Sequence, residues 1–391
     1  MARSYRCRAA ALLLFPTLAV ALTSKLAKVK NYFSGDIAGD ERVVFFPTVA
    51  SKVNATHWRV PIHGWLFEPE QDSRKRKLAI DGIGSLFQVK DESELRYLTE
   101  RMFPFVVDNQ SMKFVRIKLG RKVYKLSRTS KDGHSTTTIN IAERDLQPID
   151  GMMTYQVIDD ARKFEGQVFF VEDQGLSIIS VSVNQSKEGG CQASSQPEGQ
   201  PTTRTNKSKV QTSHDIDDTV KDTNYLDKKQ FYANTFLRKF RSVPGMKDYF
   251  KEVKRKNKGC AVHFVSASPY QLFEQLRNFF RDEGFPEASY HLKRIRIKDK
   301  SLLQFFADPF DYKMKQIEPL MESFPGRKFI LIGDSGEKDP EIYCAIYEKF
   351  PQQVQQVLIR NINDAEDSRM DRLPREKWQY FTTGFDLMSG I

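Results

Sequence analysis

Alternation of apolar and polar residues distinguishes the first half of the chain from the second. From about residue 40 to residue 173, short runs rich in β-branched and aromatic residues lie between turn-like residues. A helical pattern interrupts them near Glu92 to Met102. The clearest strand-like runs are 42–46, 58–62, 114–119, 136–141 and 168–171. This pattern predicts a β-rich, sandwich-like domain over residues 40–173.

After Asp215 the pattern changes to nearly continuous apolar runs that alternate with helical stripes. Such runs are typical of parallel strands covered on both faces, and the alternation predicts an α/β layered domain. The runs are 262–266, 329–332 and 357–359, and helices are predicted to begin at Ser268, Asp311 and Asp339. Residues 175–180 have the character of one more buried strand. We therefore assign 175–180 plus 215–375 to this second domain and 376–391 to a C-terminal tail.

The segment 181–214 separates that buried strand from the rest of its domain. It is dominated by Ser, Gln, Gly, Thr and Lys and has almost no large apolar residues, which is the composition of a disordered linker. Two interpretations are open. The segment loops out and residues 210–214 replace the strand end, or it is foreign to the functional protein, such as translated intron in a gene model. We favour the second because the segment contains no residues suited to a core.

The amino-terminal residues have the pattern of a secretory signal. Three arginines precede an apolar run from Ala9 to Leu22, and residues 19–21 fit a small-x-small cleavage site. We predict a signal peptide over residues 1–21, with an uncleaved anchor as the alternative. A cleaved signal would send the protein to the secretory pathway or outside the cell.

Composition narrows the class of partner. Of 391 residues, 40% are hydrophobic, which is enough to build sizeable cores and excludes global disorder. The net charge of +11 favours phospholipid surfaces, phosphorylated substrates or nucleic acid, without choosing among them. The four cysteines have neither the spacing of a disulfide framework nor that of a zinc site.

Two carboxylates in the stretch DIDDTVK, which covers residues 215–221, are the first candidates for chemistry. Asp215 and Asp217 point the same way if the segment is extended, because side chains at i and i+2 share a face. Such a pair could bind a divalent cation, with one acid as nucleophile and the other as proton donor. A solvated turn is an equally good interpretation of this pair alone.

Further candidates follow the predicted strands or begin the predicted helices, where open α/β sheets bind ligands. Ser266 at a strand end could hold a phosphate oxygen or cap a helix, and Lys313 in a first helical turn could neutralise a phosphoryl group, with Lys315 as its competitor. Asp334 and Asp339 follow the strand at 329–332, and Asp339 also has the position of an N-cap. Hard oxygen ligands of this kind suit Mg²⁺.

The order of these elements resembles that of the haloacid dehalogenase superfamily: D-x-D-x-T, then strand-Ser, helix-Lys and strand-G-D-x4-D. A closer similarity is to the catalytic domain of the actin-patch-associated phosphatidate phosphatase family. It is carried by DIDDTVK at 215–221, FVSASPYQL at 264–272 and FPGRKFILIGDSGEKDPEIY at 324–343. GWLFEP at 64–69 resembles the β-rich domain that precedes it in that family. The resemblance implies a haloacid dehalogenase-like, Rossmannoid catalytic domain.

The resemblance also implies roles for individual residues. Asp215 would attack phosphorus to form an aspartyl-phosphate, and Asp217 would protonate the leaving alkoxide and then activate water. Thr219 would shape the loop, while Ser266 and Lys313 would bind the transferring phosphoryl group.

By the same resemblance, a Mg²⁺ ion would be held by Asp215, the Asp217 carbonyl and Asp334, with Asp339 as a ligand or its support. The implied function is hydrolysis of phosphatidic acid to diacylglycerol. The implied partners are phosphatidic acid, an anionic membrane surface and actin-patch or endocytic proteins, and no nucleic acid. A cytoplasmic, membrane-associated location is implied, in contrast to the signal peptide. The alternatives are a phosphatase of soluble phosphoesters and an inactive secreted module that binds lipid or protein.

Overall fold

Two β-sheets organise the described part of the chain. The computed structural model describes residues 37–69, 78, 80–82, 84–85, 89, 91–158, 162–182, 219–221, 228–295, 309–336, 338–363 and 367–390. Within these residues, strands of mixed direction precede residue 171 and parallel strands follow residue 175. The protein is therefore a mixed α/β protein.

The first sheet corresponds to the predicted β-rich region. Its strands are β1 (Arg42–Phe46), β2 (Thr48–Asn54), β3 (His57–Glu68), β4 (Asp108–Asn109), β5 (Arg116–Leu119), β6 (Lys122–Lys125), β7 (His134–Ala142), β8 (Met152–Val157) and β9 (Glu165–Phe170). Their order is β1-β3-β2-β9-β8-β5-β6, and β4 and β7 also pair with β3. Helix α1 covers Glu92–Met102, as the sequence predicts. The sandwich-like packing of this region stays a prediction.

The second sheet contains only parallel pairs among the described strands. They are β10 (Leu176–Ser182), β11 (Ala261–Pro269), β12 (Ser289–Lys293), β13 (Lys328–Asp334), β14 (Val354–Arg360) and β15 (Trp378–Phe381), in the order β12-β11-β10-β13-β14-β15. The helices are α2 (Lys228–Tyr232, continued by a π-helical turn over Ala233–Leu237), α3 (Met246–Lys256), α4 (Phe273–Glu283), α5 (Pro309–Glu322) and α6 (Asp339–Lys349). The predicted apolar runs all lie inside strands, because strands covered on both faces must be apolar throughout.

Two domain boundaries differ from the sequence predictions. Val181 and Ser182, which were assigned to the 181–214 segment, extend β10 and pair with Val265 and Ser266. Residues 378–381, within the predicted tail 376–391, form β15, which pairs with β14 and continues the sheet. Both differences concern short stretches, in which pairing with a neighbouring strand decides the structure.

The residues after β15 pack against the start of α3. A 3₁₀ turn covers Gly384–Gly390, and a Cβ atom on Gly384 would collide with the backbone of Gly245 and Met246.

We expect Gly384→Ala to lower the free energy of unfolding by about 1–3 kcal/mol, since added volume at a tight contact forces backbone shifts. Guanidinium unfolding measures this. Gly390→Ala is the control, because a Cβ there meets nothing within 4 Å. Equal stability of the two variants would mean that this segment is a loose tail.

The start of α4 also differs from the prediction. The sequence predicts that this helix begins at Ser268, but β11 continues to Pro269, which pairs with Lys293 of β12. A 3₁₀ turn over Tyr270–Leu272 then precedes α4. Strand pairing with a distant segment therefore outweighs the local capping preference. Helix α5 begins at Pro309, two residues before the predicted Asp311.

The first sheet packs against α4 and the turn before it through aromatic side chains. Phe46 of β1 contacts Tyr270 and Phe273, with ring centroids 4.2 and 5.0 Å apart. Arg277 of α4 donates a hydrogen bond to Gln167 of β9 at 2.9 Å. These contacts hold the β-rich region against α4 and the turn before it.

Histidines close this interface beside the end of β12. His63 Nε2 and His134 Nδ1 share a hydrogen bond of 2.9 Å, and burial lowers the pKa of His134 to about 3. Arg294, which follows β12, donates to the Thr136 hydroxyl and lies 3.4 Å from His63 Nε2. The start of β7 is thereby placed next to the carboxyl end of a strand of the second sheet.

Candidate active site

The carboxyl ends of β11, β10 and β13 meet at one edge of the parallel sheet. In the register of β10 and β11, Ser182 lies opposite Ser266. In that of β10 and β13, Ser180 lies opposite Ile332, two residues before Asp334. Parallel strands expose their carboxyl ends on the same side of a sheet, so Ser266 and Asp334 flank the end of β10.

The predicted pair Asp215 and Asp217 lies outside the described residues, as does the signal peptide over 1–21. Thr219, two residues after Asp217, is described and fully buried, and its hydroxyl donates a hydrogen bond to the Val181 carbonyl at 3.3 Å. The chain is therefore back at the end of β10 two residues after Asp217. Both interpretations of the intervening residues, a looped-out segment and a foreign insertion, predict ends that meet in this way.

A buried lysine and two buried carboxylates form the centre of the described site. The side chains of Lys313 and Asp339 are both 0% exposed, and Lys313 Nζ donates to Asp339 Oδ1. The other Asp339 oxygen accepts the backbone N–H of Asp334 at 3.2 Å. Lys315, the predicted competitor, is exposed to solvent. The structure thus brings Lys313, rather than Lys315, to this edge of the sheet.

The position of Asp339 differs from the N-cap that the sequence suggests. It is the first residue of α6, which has Lys338 at its N-cap without a side-chain cap hydrogen bond. Its carboxylate turns inward instead, over Gly333, where any Cβ atom would collide with it. The glycine before Asp334 is therefore required for this contact.

Asp334 has the surroundings expected of a metal ligand. Its Oδ1 accepts the Gly336 N–H at 2.8 Å, whereas its buried Oδ2 has no hydrogen-bond partner among the described residues. Burial, and then the neighbouring Asp339 carboxylate, raise the pKa of Asp334 to about 7. A carboxylate oxygen desolvated without a partner is costly, and a hard divalent cation would compensate it. The residues present therefore fit Mg²⁺. No group of three or more His, Cys, Asp or Glu side chains in the described ranges could hold a metal by itself, so further ligands are needed.

Ser266 lies in an irregular part of β11 and not at its end. The register with β12 shifts between Val265 and Pro269, and the buried Ser266 hydroxyl accepts the Ser268 N–H at 2.9 Å. Such irregularities often occur next to active sites, where they redirect a side chain.

Arg360, at the end of β14, and Asn363, after it, lie beside Asp334 and Ser335 and were not predicted from the sequence. Arg360 pairs in register with Asp334, is buried, and donates through Nε to the Thr382 carbonyl at 2.9 Å. The Ser335 hydroxyl donates to Asn363 Oδ1 at 2.6 Å. Arg360 and Asn363 follow the predicted strand 357–359. The strand-end rule that selected Asp334 would therefore have selected them too.

Comparisons with known proteins find similarity in the part of the chain that contains the candidate active site. Residues 212–361 match the family described as the phosphatidate phosphatase APP1 catalytic domain. An uncharacterized protein of Schizosaccharomyces pombe is 32% identical over 153 residues, which cover 38% of this chain and 24% of that protein. Phosphatidate phosphatase APP1 of Saccharomyces cerevisiae is 31% identical over 149 residues, 37% of this chain and 25% of that protein. The aligned part thus spans about a quarter of the length of these curated relatives. The family match includes every predicted site residue.

Proposed function

We propose that this chain is a Mg²⁺-dependent phosphatase that hydrolyses phosphatidic acid to diacylglycerol. Its residues 212–361 match the family of the phosphatidate phosphatase APP1 catalytic domain. The observation that carries the proposal is the buried group of Lys313, Asp339 and Asp334 within the matched region. Catalysis of phosphoryl transfer depends mainly on positioning and on cations that neutralise the phosphoryl oxygens. A buried ammonium beside two carboxylates at a sheet edge suits that task.

In the proposed reaction, the Asp215 carboxylate attacks phosphorus and the bond from phosphorus to the glycerol oxygen breaks. Asp217 gives its proton to that leaving oxygen. Asp217 then takes a proton from a water molecule, which attacks the aspartyl-phosphate and releases inorganic phosphate with Asp215 restored. The Ser266 hydroxyl and the Lys313 ammonium would hold the phosphoryl oxygens in both steps, and Thr219 would fix the returning loop.

The residues that would hold Mg²⁺ are Asp215, the Asp217 carbonyl and Asp334, with Asp339 supporting them. When bound, the ion would neutralise charge on the phosphoryl group. The unpartnered Asp334 oxygen supports this assignment. The Asp339 carboxylate also accepts from Lys313 and from the Asp334 N–H, so its contribution would be to orient the site.

The order of the motif elements and the parallel sheet support a haloacid dehalogenase-like class for the second domain. The substrate assignment is supported by similarity to phosphatidate phosphatase APP1 of Saccharomyces cerevisiae. We extend the proposal to an anionic membrane surface and to actin-patch or endocytic partners, in the cytoplasm or, if the signal peptide functions, in the secretory pathway. Among the described residues, no helix has the length and apolar character needed to cross a membrane.

A substrate assay separates the proposed function from its alternatives. The purified chain, with and without residues 183–214, would be given phosphatidate in mixed micelles or an aryl phosphate, in Mg²⁺ or chelator. We expect phosphatidate turnover that chelator abolishes and Mg²⁺ restores. Turnover of the aryl phosphate without lipid turnover would favour a soluble phosphoester as substrate. Inactivity of both forms would favour a binding module.

Thermal unfolding tests the metal site independently of turnover. We expect Mg²⁺ to raise the melting temperature of the wild-type chain, since a ligand that binds only the folded state stabilises it. Asp334→Asn should abolish this rise. Asp282→Asn, on the exposed surface of α4, is the control and should retain it. A rise that survives in Asp334→Asn would remove Asp334 from the metal site.

A further inference from the structure

The stretch from Asn109 to Lys131 carries charge of one sign only. It contains eight basic residues and no acidic residue. Lys113 and Lys122 form ion pairs, at 2.9 Å with Glu41 and at 2.6 Å with Asp145. In the described ranges, no carboxylate forms an ion pair with the remaining lysines of the stretch, which are Lys118, Lys125 and Lys131. These three lysines are therefore available to an anionic partner.

The hairpin β5–β6 gathers several of these cations on one exposed face. Arg116 lies directly opposite Lys125 in the register of the two strands. The Lys125 ammonium and the Arg128 guanidinium lie 3.6 and 4.6 Å from the centre of the Phe114 ring. The exposed cations of the hairpin therefore lie together on one of its faces.

The turn after this hairpin is linked by hydrogen bonds to the end of β12. Strand β6 is the edge strand of its sheet, and the turn that follows leads into β7 at His134. The Ser130 N–H donates to the His134 carbonyl at 2.9 Å, and the His134 ring bonds to His63, which lies 3.4 Å from Arg294 beyond the end of β12. The hairpin is thus connected, through this turn and the two histidines, to the carboxyl end of β12 in the parallel sheet.

The chemistry of the face favours a lipid bilayer over a nucleic acid. Met112 and Val123, near its two ends, are large apolar residues with 53% and 54% of their surface exposed. A basic surface with exposed apolar side chains suits a membrane interface. Proteins that bind single-stranded nucleic acid offer aromatic rings for stacking, whereas Phe114 is already in contact with two cations of its own chain.

We propose that this face of the β5–β6 hairpin, with Arg116, Lys118, Lys125 and Arg128, docks the protein on an anionic phospholipid bilayer and so presents the candidate active site to lipid in the membrane. The inference rests on the proposed function for the identity of that lipid. The binding surface itself is defined by charge and exposure alone, so it is testable without turnover.

Vesicle co-sedimentation of the full chain is the test. The probes are neutral phosphatidylcholine vesicles and vesicles that also contain phosphatidylglycerol, which is anionic and is not the proposed substrate. We expect wild-type protein to sediment with the anionic vesicles only, and more weakly as salt is raised. Each basic side chain near an anionic leaflet contributes roughly fivefold in affinity, so Lys118→Glu with Lys125→Glu should weaken binding by about 30-fold or more.

The control carries the same change of charge elsewhere. Lys251→Glu with Lys254→Glu replaces two exposed lysines of α3 and should retain binding to within about threefold, since it leaves the roughly fivefold contribution of each hairpin cation in place. The melting temperature of the hairpin variant should stay close to that of wild type, because Lys118 and Lys125 are both exposed and substitutions at exposed positions change stability little. Loss of binding with an intact melting transition therefore supports the proposal.

Three results would overturn it. One is equal loss in the hairpin and α3 variants, which would mean diffuse attraction. Another is failure of the wild-type chain to bind anionic vesicles. The third is tighter binding to a single-stranded oligonucleotide than to the vesicles at the same salt, which would assign the face to nucleic acid. The assay on phosphatidate in detergent micelles reports the proposed function separately, so the two proposals can fail independently.

Discussion

Replacement of Asp215 by Asn is expected to lower phosphatidate turnover by on the order of 10⁴-fold, because removal of a covalent nucleophile eliminates the reaction path and not only one favourable contact. The amide has nearly the shape of the carboxylate, so folding should be unaffected. The variant should also form no phosphoenzyme. Rapid acid quenching after exposure of wild-type protein to labelled phosphatidate should instead trap a phosphate that hydroxylamine releases, as expected of an acyl phosphate.

Asp218→Asn is the matched control for this experiment. It removes the same charge from the same stretch, but Asp218 lies outside the i, i+2 pair formed by Asp215 and Asp217. We expect it to retain most of the turnover. Full activity of Asp215→Asn would rule out the covalent mechanism, and equal loss in both variants would point to the net charge of the loop as the cause.

Replacement of Lys313 by Met is expected to lower the free energy of unfolding by about 3–5 kcal/mol, because it leaves Asp339 buried without its cation. Both side chains are 0% exposed. Turnover should fall as well, since the same ammonium is proposed to hold the phosphoryl group. Guanidinium unfolding in chelator measures the first effect without a contribution from bound metal.

Lys315→Met is the control on the same helix, and its unfolding free energy should stay within about 0.5 kcal/mol of wild type because Lys315 is exposed. The double variant Lys313→Met with Asp339→Asn should recover much of the stability, since it removes both buried charges, but not the turnover. If Lys313→Met were as stable as Lys315→Met, the buried pair would not form in solution. If the double variant were active, Lys313 would have no part in phosphoryl binding.

The sequence was sufficient for those features that depend on residues close together in the chain. Alternating and continuous apolar runs predict β1, α1 and the buried strands β11, β13 and β14 near their observed positions, because the burial of each face sets the local pattern. The order of the motifs indicates the family whose catalytic-domain model matches residues 212–361. The roles of Asp215 and Asp217 rest on that order and on their spacing.

Features that depend on pairing between distant segments were decided by the tertiary structure alone. The local sequence at Ser268 predicts the start of a helix, yet pairing of β11 with β12 keeps Ser268 in a strand. Residues 378–381 are too few to show a pattern, but β14 makes them a strand of the sheet. The sequence does not distinguish Lys313 from Lys315 as the phosphate-binding lysine. The packing of α5 against the start of α6 buries Lys313 and leaves Lys315 exposed. Local preferences amount to about 1 kcal/mol or less for each residue, so burial and strand register outweigh them wherever the two disagree.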